Sequence, residues 1–64
     1  MTKQDYYNRR LALEREFYHC LHIGDHDKAK ETKKQIGEFL IQGLQELGVQ
    51  DFVDIELKFE IDNY

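Results

Sequence analysis

The sequence predicts an α+β fold that is mainly helical, with an antiparallel hairpin of two helices followed by one C-terminal strand. Three observations support this prediction. Apolar residues recur with the helical period on both sides of Gly24-Asp25, the pattern changes to strict alternation after Gly48, and no proline interrupts the chain. With 64 residues, the chain is expected to form a single domain.

The first helix is predicted over residues 2–22. Thr2 and Asp5 have the spacing of a capping box, with Asp in place of the usual Glu or Gln. Arg10 and Glu14 divide the apolar residues into two groups and are spaced to pair with each other, which indicates two separate packing contacts. One group contains Tyr6, Leu13, Phe17, Cys20 and Leu21, and the other contains Tyr7, Leu11 and Tyr18.

The second helix is predicted over residues 26–47, with Gly24 ending the first helix and Asp25 or Asp27 capping the second. Gly43 lies near the centre of its apolar face, where a glycine indicates either close approach of another backbone or a weak point in the helix. The other apolar residues of this face are Ala29, Ile36, Phe39, Leu40, Leu44 and Leu47.

The strand is predicted over residues 52–62, because apolar and polar residues alternate there with period two. Val53, Ile55, Leu57, Phe59 and Ile61 alternate with Asp54, Glu56, Lys58, Glu60 and Asp62. A single strand has no sheet partner within the chain, so we expect it to pair with the same strand of a second copy. The alternative is addition to the sheet edge of a different protein.

Composition favours a cytoplasmic protein without a membrane span. Cys20 is the only cysteine, no apolar run is long enough to cross a bilayer, and the N-terminal residues lack the apolar stretch of a signal peptide. Residues 1–37 carry eight Lys or Arg against six Asp or Glu, whereas residues 38–64 carry one Lys against seven acids. This balance argues against direct binding to nucleic acid.

The sequence predicts no enzyme, cofactor or metal site. It contains no glycine-rich phosphate loop and no Cys-x-x-Cys motif, and Cys20 is expected to be buried and inert. The three histidines, His19, His22 and His26, lie near the first turn and are expected to be solvated or to cap loops, with zinc binding as the open alternative.

Residues near the first turn resemble known helical hairpins. The segment Gly24-Asp25-His26-Asp27-Lys28-Ala29 resembles the turn of tetratricopeptide repeats, and the run from His26 to Ile36 is similar to the UVR motif, a hairpin through which some repair proteins and protease adaptors dock partners. The resemblance implies a helical hairpin used for protein contact, with Ala29 and Ile36 as packing positions.

Together these features predict an adaptor or inhibitor that binds a protein partner and forms a homodimer. The expected interface consists of Val53, Ile55, Leu57, Phe59, Ile61, Tyr7, Leu11 and Tyr18. The alternative is a nucleic-acid mimic, since alternate side chains of a strand stand about 6.5–7 Å apart, close to phosphate spacing. Its acidic surface would consist of Asp51, Asp54, Glu56, Glu60 and Asp62.

Overall fold

The computed structural model describes all 64 residues and is all-α. Its three helices are α1 (Lys3–His22), α2 (His26–Leu47) and α3 (Val49–Asn63). They account for 89% of the residues, and there is no strand. The two helices of the hairpin are confirmed at nearly the predicted bounds. None of the three helices combines the length and the apolar composition that a membrane span requires.

The predicted strand over residues 52–62 is wrong, because this segment forms most of α3. The same residues contain a helical pattern, since Phe52, Ile55, Glu56 and Phe59 follow the spacing i, i+3, i+4, i+7. Ile55 and Phe59 are buried on this face, and Phe52 is half-buried. A helix satisfies its backbone hydrogen bonds internally, so the reason for pairing with a strand of a second copy disappears as well.

Local signals fix the ends of the first two helices. Thr2 and Asp5 form the predicted capping box, with the Asp5 amide donating to the Thr2 hydroxyl at 3.0 Å. The Asp25 side chain caps α2 by accepting from the Lys28 amide at 3.1 Å. Gly24 and Gly48, which follow α1 and α2, have φ of 78° and 85°, a region that glycine enters without steric cost.

The core is small and centres on Tyr6. Its ring is fully buried, stacks on Phe39 of α2 at 4.9 Å between centroids, and meets Phe52 of α3 edge to face at 5.8 Å. A single aromatic side chain therefore joins all three helices. The other buried residues are Arg10, Leu13, Cys20, Ala29, Thr32, Ile36, Gly43, Ile55 and Phe59.

Gly43 is buried because the Tyr6 ring lies directly against it. A Cβ atom added to Gly43 would overlap the ring, well inside van der Waals contact. The approaching group is thus a side chain, and not another backbone as the sequence suggested. The predicted face of α1 is also narrower than expected, since Phe17 is half-buried and Leu21 is 43% exposed.

Candidate functional site

Four apolar side chains lie on the solvent-facing side of α3. Val49, Val53, Leu57 and Ile61 are 70%, 43%, 53% and 80% exposed. Their spacing of four residues aligns them along one side of the helix, with a rise of about 6 Å between neighbours. These four residues are called the α3 row below. Scattered apolar residues are normal on a surface, whereas an aligned row is typical of an interaction site.

A polar network fixes the rotation of α3 and so decides which residues face outward. The Tyr6 hydroxyl donates to Glu56, and Arg10 donates to Glu56 through Nε at 3.3 Å. Arg10 also pairs with Glu14 on its own helix, and its guanidinium lies 4.8 Å from the centroid of the Phe59 ring. The Arg10 and Glu14 pair predicted from their spacing is confirmed, and Arg10 also holds α3.

The pKa values of Tyr6 and Arg10 are both raised, so both groups stay protonated near neutral pH. Burial raises the pKa of Tyr6, and the hydrogen bond to the Glu56 carboxylate raises it further, so the hydroxyl remains a donor. Burial lowers the pKa of Arg10, but Glu14 and Glu56 more than offset this effect and the pKa is raised overall. Arg10 therefore stays charged between its two carboxylate partners.

Tyr7 makes a second contact between α1 and α3. Its ring meets Phe59 edge to face at 5.5 Å, and its hydroxyl donates to Asp62 at 2.8 Å. Lys58 donates to the same carboxylate at 3.0 Å and lies over the Tyr7 ring. The hydrogen bonds from Lys58 and then Tyr7 lower the pKa of Asp62. Tyr7 and Asp62 thus attach α3 to the hairpin.

The predicted interface divides into inward and outward residues. Ile55 and Phe59 are buried in the core and are not accessible in the folded chain. Tyr7 and Leu11 are half-buried against the body of the protein. The exposed members are Val53, Leu57, Ile61 and Tyr18.

The predicted acidic surface is distributed around α3. Glu56 points into the network, Asp62 pairs with Lys58, and Asp51 lies 4.0 Å from Lys3 of α1. Asp54 accepts a hydrogen bond from Gln50, while Glu60 has no ion pair. The phosphate-like spacing along one strand face is absent, so the geometric basis of the nucleic-acid mimic hypothesis no longer applies.

Sequence reasoning missed Val49 and the exposed end of α2. Val49 is four residues before Val53, so a search for apolar residues at intervals of four would have found it. Ile41 and Leu44, which are 61% and 40% exposed, lie in the last two turns of α2. The chain turns at Gly48 directly into α3, which places them at the same end of the molecule as Val49.

The other residues that could bind a metal or react, Cys20 and the three histidines, do not form a common site. Cys20 is buried as predicted, and the three histidines are exposed. No group of three His, Cys, Asp or Glu side chains comes close enough together to hold a metal ion. The largest surface groove, about 470 Å³, lies between α1 and α2 and is open to solvent. Its lining residues are Arg9, Leu13, Gln35, Glu38, Phe39 and Gln42.

Comparison with known family models, curated proteins and solved structures found no match to this chain. Ala29 and Ile36, the two packing positions named from the resemblance, are buried, as apolar residues of a helical core are in general. The resemblance itself stays a prediction.

Proposed function

We propose that this protein is a non-enzymatic protein-interaction module, an adaptor or inhibitor, that binds its partner through the α3 row. The observation that carries the proposal is the alignment of Val49, Val53, Leu57 and Ile61 on the solvent side of α3. Burying a fully exposed side chain of this kind contributes about 1.5–3 kcal/mol, and these partly exposed residues would each contribute a fraction of that, so a partner that covers the whole row gains a driving force.

The shape of the molecule supports binding more than catalysis. Its surface offers a shallow groove with mixed polar lining, whereas small-molecule sites are usually enclosed and largely apolar. We place the protein in the cytoplasm, since the lone Cys20 is buried and suited to a reducing compartment. The homodimer remains a prediction that now has no strand to support it.

The proposal is tested by comparing two matched double variants as bait in an extract of the source cells. Val53→Gln with Leu57→Gln removes the centre of the α3 row, and Leu21→Gln with Ile23→Gln removes two apolar side chains of similar exposure at the α1–α2 turn. Each of the four side chains is at least 43% exposed, and glutamine is well tolerated in helices and on surfaces, so both variants should remain folded, which circular dichroism checks.

We expect the wild type and the turn variant to retain the same partner, identified by mass spectrometry, and the row variant to lose it. If the folded row variant retained as much of the partner as the wild type, the partner would bind at another surface. Retention of no protein by the wild type would contradict the function itself.

A further inference from the structure

The surroundings of the α3 row are acidic, and this restricts what can cover it. Residues 38–64 carry seven Asp or Glu and a single Lys. That cation, Lys58, donates to Asp62 at 3.0 Å and is therefore already compensated. Ion pairs with the N-terminal amine, Lys3, Arg10 and Lys58 engage four of the seven acids. The remaining carboxylates, those of Glu38, Asp54 and Glu60, present negative charge to an approaching partner.

Two acids flank the row directly. Successive helix positions are about 100° apart, which places Asp54 on one side of the row between Val53 and Leu57, and Glu60 on the other side between Leu57 and Ile61. Both are exposed, and neither takes part in an ion pair. The row is therefore an apolar strip with an unpaired carboxylate at each edge. Lys58, one turn after Asp54 on the same edge, is engaged by Asp62.

This charge pattern disfavours three classes of occupant. A second copy on the row would bring its own unpaired Asp54 and Glu60 into the same interface, and like charges in an interface weaken it. A nucleic acid and an anionic membrane surface would be repelled by the same carboxylates. What remains is a protein segment of opposite charge.

Resting on the proposed function, we propose that the α3 row binds a basic amphipathic helix of another protein. From Val49 to Ile61 the row is about 18 Å long, which matches three to four turns of a partner helix. Apolar residues of that helix at i, i+4, i+7 and i+11 would cover the row, and Lys or Arg beside them would meet Asp54 and Glu60. Affinity then comes from apolar burial, and selection from charge.

The test uses the intact protein and two synthetic helical peptides of about 18 residues with identical apolar faces. One peptide carries Lys and the other Glu at the flanking positions. Binding is measured by fluorescence anisotropy, and the site is mapped from backbone amide shifts in NMR spectra. We expect the basic peptide to bind with micromolar affinity, at least about tenfold tighter than the acidic one, and to shift amides of α3.

Two double variants and one control separate the apolar and charged contributions. Val53→Gln with Leu57→Gln should weaken the basic peptide at least about tenfold, while Leu21→Gln with Ile23→Gln should leave it unchanged. Asp54→Asn with Glu60→Gln should reduce the preference for the basic peptide over the acidic one. Raising the salt concentration from about 50 to about 500 mM weakens binding of the basic peptide to the wild type, and this weakening should be smaller in the charge variant.

The outcomes also distinguish this inference from the proposed function. Equal binding of both peptides at the α3 row would overturn the charge selection and leave the row as a protein-binding surface. Self-association of the free protein that is lost in the row variant, detected by sedimentation, would identify a second copy as the occupant and overturn the inference. So would an absence of binding by the basic peptide, even if the extract experiment returned a partner sensitive to the row.

Discussion

At the scale of single residues, Gly43 and Gly37 lie on the same helix but differ in what surrounds them. A Cβ on Gly43 would overlap the Tyr6 ring, whereas a Cβ on Gly37 would meet nothing within 4 Å. Gly43→Ala should therefore lower the free energy of unfolding by about 1–3 kcal/mol through overpacking. Gly37→Ala should raise it by about 0.4–1 kcal/mol, because it restricts the unfolded chain.

Urea unfolding followed by circular dichroism measures both changes, and the Gly37 variant controls for the helix propensity of alanine. If Gly43→Ala were as stable as Gly37→Ala, the Tyr6 ring would not occupy its assigned place. The sequence located Gly43 on the buried face but could not identify the approaching group, because that depends on how α1 is rotated against α2.

The raised pKa of Tyr6 predicts that the free energy of unfolding falls at alkaline pH. Burial and the hydrogen bond to Glu56 raise its pKa in the folded protein. In the unfolded chain a tyrosine loses its proton near pH ~10. Stability from this residue is therefore fully present below that pH, and it is lost as pH rises towards the higher folded pKa, by about 1.4 kcal/mol per pH unit.

Chemical unfolding between about pH 8 and pH 11 checks this prediction. Tyr6→Phe should remove this component of the loss, whereas Tyr18→Phe, at a site that is 53% exposed, should decline like the wild type. Parallel curves for all three proteins would mean that the Tyr6 hydroxyl is not held neutral by its surroundings.

At the scale of elements, the sequence was informative where a local signal decides the structure. The capping box at Thr2, the Asp25 cap and Gly24 act within a few residues, so the bounds of α1 and α2 could be predicted. The last segment lacks such a signal. Its N-cap is Gly48, which offers no side-chain cap, and its apolar spacing satisfies period two and the helical pattern together.

Tertiary packing resolves this ambiguity in favour of the helix. Phe52, which the strand prediction treated as an exception, belongs to the helical face that meets Tyr6. Three of the four residues of the α3 row were in the predicted interface for a related reason. The helix turns three of the predicted residues outward, namely Val53, Leu57 and Ile61. The other two, Ile55 and Phe59, could be assigned to the interior only once the helical period was known.

This difference between the two faces of α3 is testable by mutation. Phe59→Ala should cost about 3–5 kcal/mol, because the ring is 1% exposed and packs against Arg10 and Tyr7. Leu57→Ala should change stability by no more than about 0.5 kcal/mol, since the side chain is half exposed and alanine suits a helix. A strand with one buried face would lose comparable stability at both positions, so similar denaturation curves for the two variants would contradict the helix.

At the scale of the whole molecule, the three helices depend on one shared cluster. Only ten of the 64 residues are buried, and Tyr6 contacts both α2 and α3 through Phe39, Phe52 and Glu56. A domain of this size has a small hydrophobic core, and its free energy of unfolding rarely exceeds about 3–5 kcal/mol. No helix pair retains a complete core if the third helix leaves.

We therefore expect the protein to unfold in a single cooperative step. Helix content from circular dichroism and tyrosine fluorescence should give coincident urea transitions. In hydrogen exchange, the slowest amides of α1, α2 and α3 should exchange with the same opening free energy, because each opens only when the whole protein unfolds. Free exchange along α3 with protection retained in α1 and α2 would contradict this coupling. A partner helix that binds the α3 row binds the folded protein and not the unfolded chain, so it stabilises the whole molecule. If the three helices unfold together, the bound helix must therefore slow hydrogen exchange in all three of them.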